Sequence, residues 1–404
     1  MGNNQLIKHD GGLIKRVGNA ISVTNKLLAL TEPQLIPYRK KDKWGFCTPD
    51  KKIVIDCVWD EVERFSNGVA KVCLRDVGFG HYGYINRTGT LIIPCIYEFI
   101  NEFSEGLARV CLNGKYGYIN EVGEIILSCI YSNVGSKFSE GVAAVELNKK
   151  WGFIDKSEKV ILPFIYDFAS SFSEGLTQVS LNGKWGVIDI TGKNVVPFIY
   201  DRICPFEDCG IRVCVNSKWG LIDKKGKTII PCIYDEFSFF SEGLAYVTLY
   251  DKKGYINKEG EWIIELNNAY DSGWPFCEGF AGVAINDQWG FINKTGELAI
   301  PCIYSDVSPF SEGFASVSLN GQWGFIDKNG KNVVPFIYES TNSFSEGFAA
   351  VKFDRYWGVI NKTGKLVIYC DYIDVQDFNS GLAEVDLGWG SFYINKEGLE
   401  YRDS

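Results

Sequence analysis

The chain has 404 residues, 46% of them hydrophobic and 23% charged, with a net charge of −9 at neutral pH. That composition is too apolar for a disordered chain, and too acidic for nucleic acid or an anionic membrane to be the main partner. No stretch reaches the roughly 18 apolar residues of a spanning helix, and no signal-peptide pattern opens the chain, so no transmembrane segment and a cytoplasmic location are expected.

Residues 1–40 stand apart from the rest. Leu13, Ile14, Val17, Ile21, Thr24, Leu27 and Leu28 fall on one face of a 3.6-residue period, and Pro33 ends the pattern. The spacing predicts a short amphipathic N-terminal helix and capping segment over 1–40. This helix is expected to dock on the remainder of the chain or on a partner.

From 41 to 404 the chain repeats. A Trp-Gly pair or a variant of it recurs at Trp44, Tyr82, Tyr116, Trp151, Trp185, Trp219, Lys253, Trp289, Trp323 and Trp357, mostly 34 residues apart, with a degenerate copy around Ser391. Each unit reads roughly W-G-F-I-D-x-x-G-x-x-V-I-P-x-I-Y-D, a variable link, F-S-E-G, then L-A-x-V-x-L-N-G-K. Within the copy "LNGKWGVIDITGK", Asn182-Gly183 between apolar runs predicts a type I′ turn. That turn sets Ser180 opposite Trp185, Val179 opposite Gly186 and Gln178 opposite Val187. The face carrying Thr177, Val179, Leu181, Gly186 and Ile188 is small and aliphatic, hence core. A second turn at Asp189 to Gly192 leads to a third strand that Pro197 ends. Aromatic slots such as Tyr200 and Phe206 bracket each link and are expected to clamp neighbouring units together.

The unit resembles the WG (KWG) repeat family, common in bacterial proteins. The resemblance implies an all-β repeat module and transfers no catalytic residue. Propeller blades usually hold four strands over about 40 or more residues and usually stop near eight copies. The expected fold is therefore all-β: about ten tandem 34-residue, three-stranded β-meander repeats in an open, superhelical, solenoid-like array. Two successive small propellers are the runner-up.

Chemistry is sparse. Cys95, Cys129, Cys232 and Cys302 share a slot with Phe164, Phe198 and Phe336, which marks it as apolar filling. With two histidines and no C-x2-C pair, no metal and no cofactor are expected. The F-S-E-G acids (Glu105, Glu140, Glu174, Asp208, Glu242, Glu278, Glu312 and Glu346) are most simply partners of turn amides. Equivalent copies provide no unique catalytic pair, so an enzyme is not expected.

What varies is the position after Leu-Ala, held by Lys71, Arg109, Gln178, Arg212 and Tyr246 among others, beside a row of lysines at Lys43, Lys115, Lys150, Lys184 and Lys218. These read as a graded binding strip. The pattern breaks at Cys209, at Lys253 and in the link Leu266 to Trp274. The expected contact residues are therefore Arg212, Tyr246, Lys253 and Trp274, with Arg109 and Lys71. The function expected is a non-catalytic scaffold for a protein or peptide partner. The alternatives are a glycan-binding module using an exposed aromatic row, or a β-propeller-like accessory domain of an enzyme.

Overall fold

The computed structural model describes residues 34–76, 79–266 and 269–403. The Asn182-Gly183 hairpin forms as its local chemistry dictates. Both turn residues adopt positive φ, 52° and 75°. Ser180 pairs with Trp185, Val179 with Gly186 and Gln178 with Val187. The Asp189 carboxylate then accepts hydrogen bonds from the amides of Thr191 and Lys193, closing the second turn.

The next strand, Asn194–Tyr200, is bulged: Tyr200 pairs with Trp185, but Val196 pairs with Val187. The bulge pushes backbone across Gly186, where a Cβ would lie 2.7 Å from the Val196 carbonyl oxygen and 3.0 Å from the Phe198 ring. Trp is followed by Gly because the adjacent bulged strand occupies the place of a side chain.

Each unit also contains a strand that the sequence pattern hides. Phe168–Ala169, only two residues long, pairs with Ser180 and Val179. The sheet is thus four-stranded, and the same holds along the chain. Among the described residues there are eleven sheets: nine of four strands, with a three-stranded sheet at each end. Numbered in chain order as blades 1 to 11, they span 36–59, 61–97, 99–131, 133–166, 168–200, 202–234, 236–266, 272–304, 306–338, 340–372 and 374–395.

Successive blades pack face to face. Ala144, Phe153 and Leu162 of blade 4 meet Ala169, Phe172, Val179 and Ile188 of blade 5. The Phe172 ring sits 4.9 Å from that of Phe153, so the second aromatic slot is the clamp its spacing implies.

The stack closes on itself, which overturns the expected open solenoid. One core cluster holds Trp44, Phe46 and Ile55 of blade 1 together with Val375, Val385 and Phe392 of blade 11. The Arg39 guanidinium donates to the Ser391 carbonyl at 2.8 Å, and Trp44 meets Tyr393 edge-on at 6.0 Å. Residues 401–403 complete the edge of blade 1 in a parallel bridge. There the Arg39 amide donates to the Tyr401 carbonyl and the Asp403 amide to that of Arg39, both at 3.0 Å. The fold is an eleven-blade β-propeller.

Blade size and count misled the expectation because a two-residue strand is too short to show in the sequence. Sharing a full turn among eleven units also leaves only roughly 33° per joint, so adjacent faces stay nearly parallel and ordinary sheet-on-sheet packing fills them.

The expected N-terminal helix falls on residues 13–28, outside the described residues. No helix occurs among the described residues, and none is long and apolar enough to cross a membrane. Ile36–Lys40, the described end of that segment, is a strand of blade 1.

Candidate functional site

The loop between the first two strands of each blade and the turn between its last two lie on one face of the ring. At four consecutive joints, from 7/8 to 10/11, these elements are stitched by the same two bonds. The F-S-E-G carboxylate accepts from the loop amide of the next blade: Glu242 from Gly279 at 3.1 Å, Glu278 from Gly313, Glu312 from Gly347 and Glu346 from Gly381, each of the last three at 2.9 Å. The same carboxylates receive a lysine ammonium from the next blade's turn: Lys294, Lys328, Lys362 and Lys396, at 3.0, 3.1, 3.2 and 3.1 Å. The Gly381 amide and the Lys396 ammonium together hold the Glu346 carboxyl below the usual range. The expectation that these acids satisfy turn amides is met here.

Joint 2/3 lacks both bonds. Asn67 stands in the carboxylate slot, in the same left-handed backbone conformation (φ 51° against 53° at Glu312). Glu121 stands in the lysine slot. Among the described residues no hydrogen bond joins the two loops. A cavity of about 450 Å³ opens there, with Tyr84, Phe103, Val69 and Val122 among its apolar lining. Its charged lining comprises Glu63, Arg64, Lys71, Glu102 and Glu121. Lys71 is paired with Glu63. Arg64 spans to blade 11, where it donates to the carbonyls of Asn379 and Leu382. Glu102 and Glu121 are exposed and, among the described residues, have no ion-pair partner.

A second cavity, about 480 Å³, lies at joint 6/7 between Phe206, Asp208, Cys209, Phe240 and Lys258. There the acid is the shorter Asp208, and Cys209 replaces the loop glycine. Both openings thus coincide with departures from the repeated stitch.

The six residues expected to form a contact region are distributed over several joints. Lys71 lines the cavity at 2/3. Arg109 lies over the rings of Phe99 and Tyr116 at 4.9 and 5.7 Å and donates to the Val134 carbonyl at joint 3/4. Arg212 binds the Glu207 carboxylate at 2.8 Å and the Phe237 carbonyl at 2.9 Å. Tyr246 is 5% exposed and packs on Tyr255 at joint 7/8, where Gly273 leaves room for both rings. Lys253 donates to the carbonyls of Asp271 and Tyr270 at 2.6 and 3.3 Å, directing its ammonium to backbone. Trp274 covers Gly282 and packs against Trp289, with ring centroids 4.6 Å apart and planes tilted by 44°.

The variable position is therefore largely a joint lock. Alternation implied one free face, but in a ring both faces of a blade are buried against neighbours.

Four of the five lysines in the row are partly exposed and paired within the chain, while Lys115 is exposed and has no ion pair among the described residues. Lys43, Lys150, Lys184 and Lys218 pair with Asp60, Asp167, Asp201 and Asp235. The Lys150, Lys184 and Lys218 bonds hold the carboxyls of Asp167, Asp201 and Asp235 below their usual range. Asn67, Glu102 and Glu121 were missed. Their signal was present in the repeat alignment, as a joint inside the array where both members of the stitch are replaced; at the closing joint Ser380 and Pro49 stand in the same two slots.

The cysteines behave as filling. All thirteen are free, and burial pushes the Cys47 thiol up to about 12. Among the described residues no group of His, Cys, Asp and Glu could hold a metal ion.

Among solved structures, the chain is similar to a eukaryotic initiation factor at 10% identity and a TM-score of 0.40, covering 84% of this chain and 96% of that one. It is also similar to Hsv2 of Kluyveromyces marxianus at 11% identity and a TM-score of 0.29, covering 64% and 93%. No curated protein matches the chain in sequence. The profile of the WG containing repeat matches ten consecutive segments, 44–76, 82–116, 116–151, 151–185, 185–219, 219–252, 254–289, 289–323, 323–356 and 357–388, each starting in one of the first ten blades and running into the next, and the chain belongs to that family.

Proposed function

We propose that this protein is a non-catalytic scaffold that binds a protein or peptide partner on its loop face, at the joint between blades 2 and 3. The observation that supports this reading is the local loss of a framework bond. Where both stitch residues are replaced, a cavity of about 450 Å³ with an aromatic floor and a charged rim takes their place. A repeat framework keeps its packing slots constant and places recognition where the slots vary.

The test is capture from a lysate by the intact ring and by the variant Asn67→Glu/Glu121→Lys, which rebuilds the stitch of joints 7/8 to 10/11. A partner retained by the native ring and lost by the folded variant is the expected result. Undiminished capture by the variant would remove the cleft from the reading.

A further inference from the structure

The ring supplies its own comparison for what the cleft would hold. At four joints the space above the loop acid is occupied by an ammonium: Lys294, Lys328, Lys362 and Lys396, each 3.0 to 3.2 Å from a carboxylate oxygen. In each case it is delivered by the first residue after the turn Asp or Asn. At joint 2/3 that residue is Glu121, so the ammonium is missing and a carboxylate faces the vacated space. Glu102, from the blade 3 loop, lines the same space.

The cations at this cleft are already committed, Lys71 to Glu63 and Arg64 to the Asn379 and Leu382 carbonyls. Two carboxylates without ion-pair partners therefore flank a cavity that also offers Phe103 and Val122, the latter 70% exposed. An aliphatic stem ending in a positive charge matches both parts: stem on the apolar wall, cation between the acids.

We infer that the 2/3 cleft takes a lysine or arginine side chain from an extended segment of the partner, its cation replacing the lysine that the ring's own repeats place at joints 7/8 to 10/11. This rests on the scaffold reading above and adds the chemistry of the occupant.

The test uses the full chain and terminally blocked nine-residue peptides, otherwise uncharged, with a central Lys, Arg, norleucine or Glu, followed by fluorescence anisotropy. The Lys and Arg peptides are expected to bind at least tenfold more tightly than the norleucine and Glu peptides. Their advantage should shrink in high salt and disappear in Glu121→Lys. That substitution places in blade 3 the residue found in blades 8 to 11, so the fold should be retained, and an unchanged urea midpoint checks it.

Equal binding of the norleucine or Glu peptide at the cleft would overturn the inference and leave the scaffold reading standing. Binding of n-butylamine as tight as that of the Lys peptide would overturn the peptide-borne occupant, and with it the scaffold reading at this cleft. No binding by any peptide or by the amine would overturn both.

Discussion

Joint 9/10 and joint 2/3 are built from the same slots. At 9/10 the Glu312 carboxylate receives the Gly347 amide at 2.9 Å and the Lys362 ammonium at 3.2 Å, and Phe344 is buried against Phe325 at 4.7 Å. At 2/3 Asn67 and Glu121 leave the loops unbonded, and Phe103 is half-exposed over a cavity. The clamp geometry is similar, with Phe103 5.3 Å from Tyr84. The difference shows how a closed ring acquires a site: a cleft opens where the stitch is absent, while the packed blade faces keep the ring closed.

The largest effect should come from the clamp itself. Phe344→Ala is expected to cost about 3–5 kcal/mol, the range for a fully buried aromatic, and Phe103→Ala only about 1–2 kcal/mol because its ring already borders open space. Urea melts measure both. Equal losses would mean that joint 2/3 is as tight as 9/10.

Acid comes next, because it acts at many joints together. The carboxyls of Asp167, Asp201, Asp235 and Glu346 are held below their usual range by lysine and amide donors. A depressed folded pKa contributes stability that is present above the unfolded pKa and lost as pH falls through the folded one. The urea midpoint should therefore be flat down to about pH 5 and fall below about pH 4. A midpoint that rises on acidification would contradict the stitch.

A single stitch is smaller. Glu312→Ala should cost about 1 kcal/mol, a charged hydrogen bond discounted for partial exposure. The same substitution at Glu121 should cost nothing measurable, since that carboxylate holds no partner. Smallest of all, Asn67→Glu/Glu121→Lys should raise stability by less than about 1 kcal/mol. A destabilised double variant would show that the cleft loops cannot adopt the geometry of joint 9/10.

Within each unit much was legible. The Asn182-Gly183 turn and two-residue alternation set the hairpin register, and Gly186 marked a close backbone approach. Ring closure was not legible, because it depends on bonds such as Lys41 to Asp403, 362 residues apart. In the degenerate copy around Ser391, Phe392 stands in the glycine slot and is fully buried in the closing core, on a strand that no bulged neighbour crosses. The site was half legible. The acids were read as a row, when Glu174, Glu242, Glu278, Glu312 and Glu346 are each one member of a pair whose other member lies in the next blade's turn, so the double replacement at Asn67 and Glu121 passed unseen.

The parallel bridge between Arg39 and residues 401–403 has a kinetic side. Blade 1 is translated first, but its edge partner comes last. At about 5–20 residues per second, those 362 residues leave the edge of blade 1 unpaired for roughly 20–70 s. An open strand edge is where other chains add. Protease protection of blade 1 in stalled chains should therefore appear only once Asp403 has emerged, and until then a nascent ring can be captured by a neighbouring nascent ring.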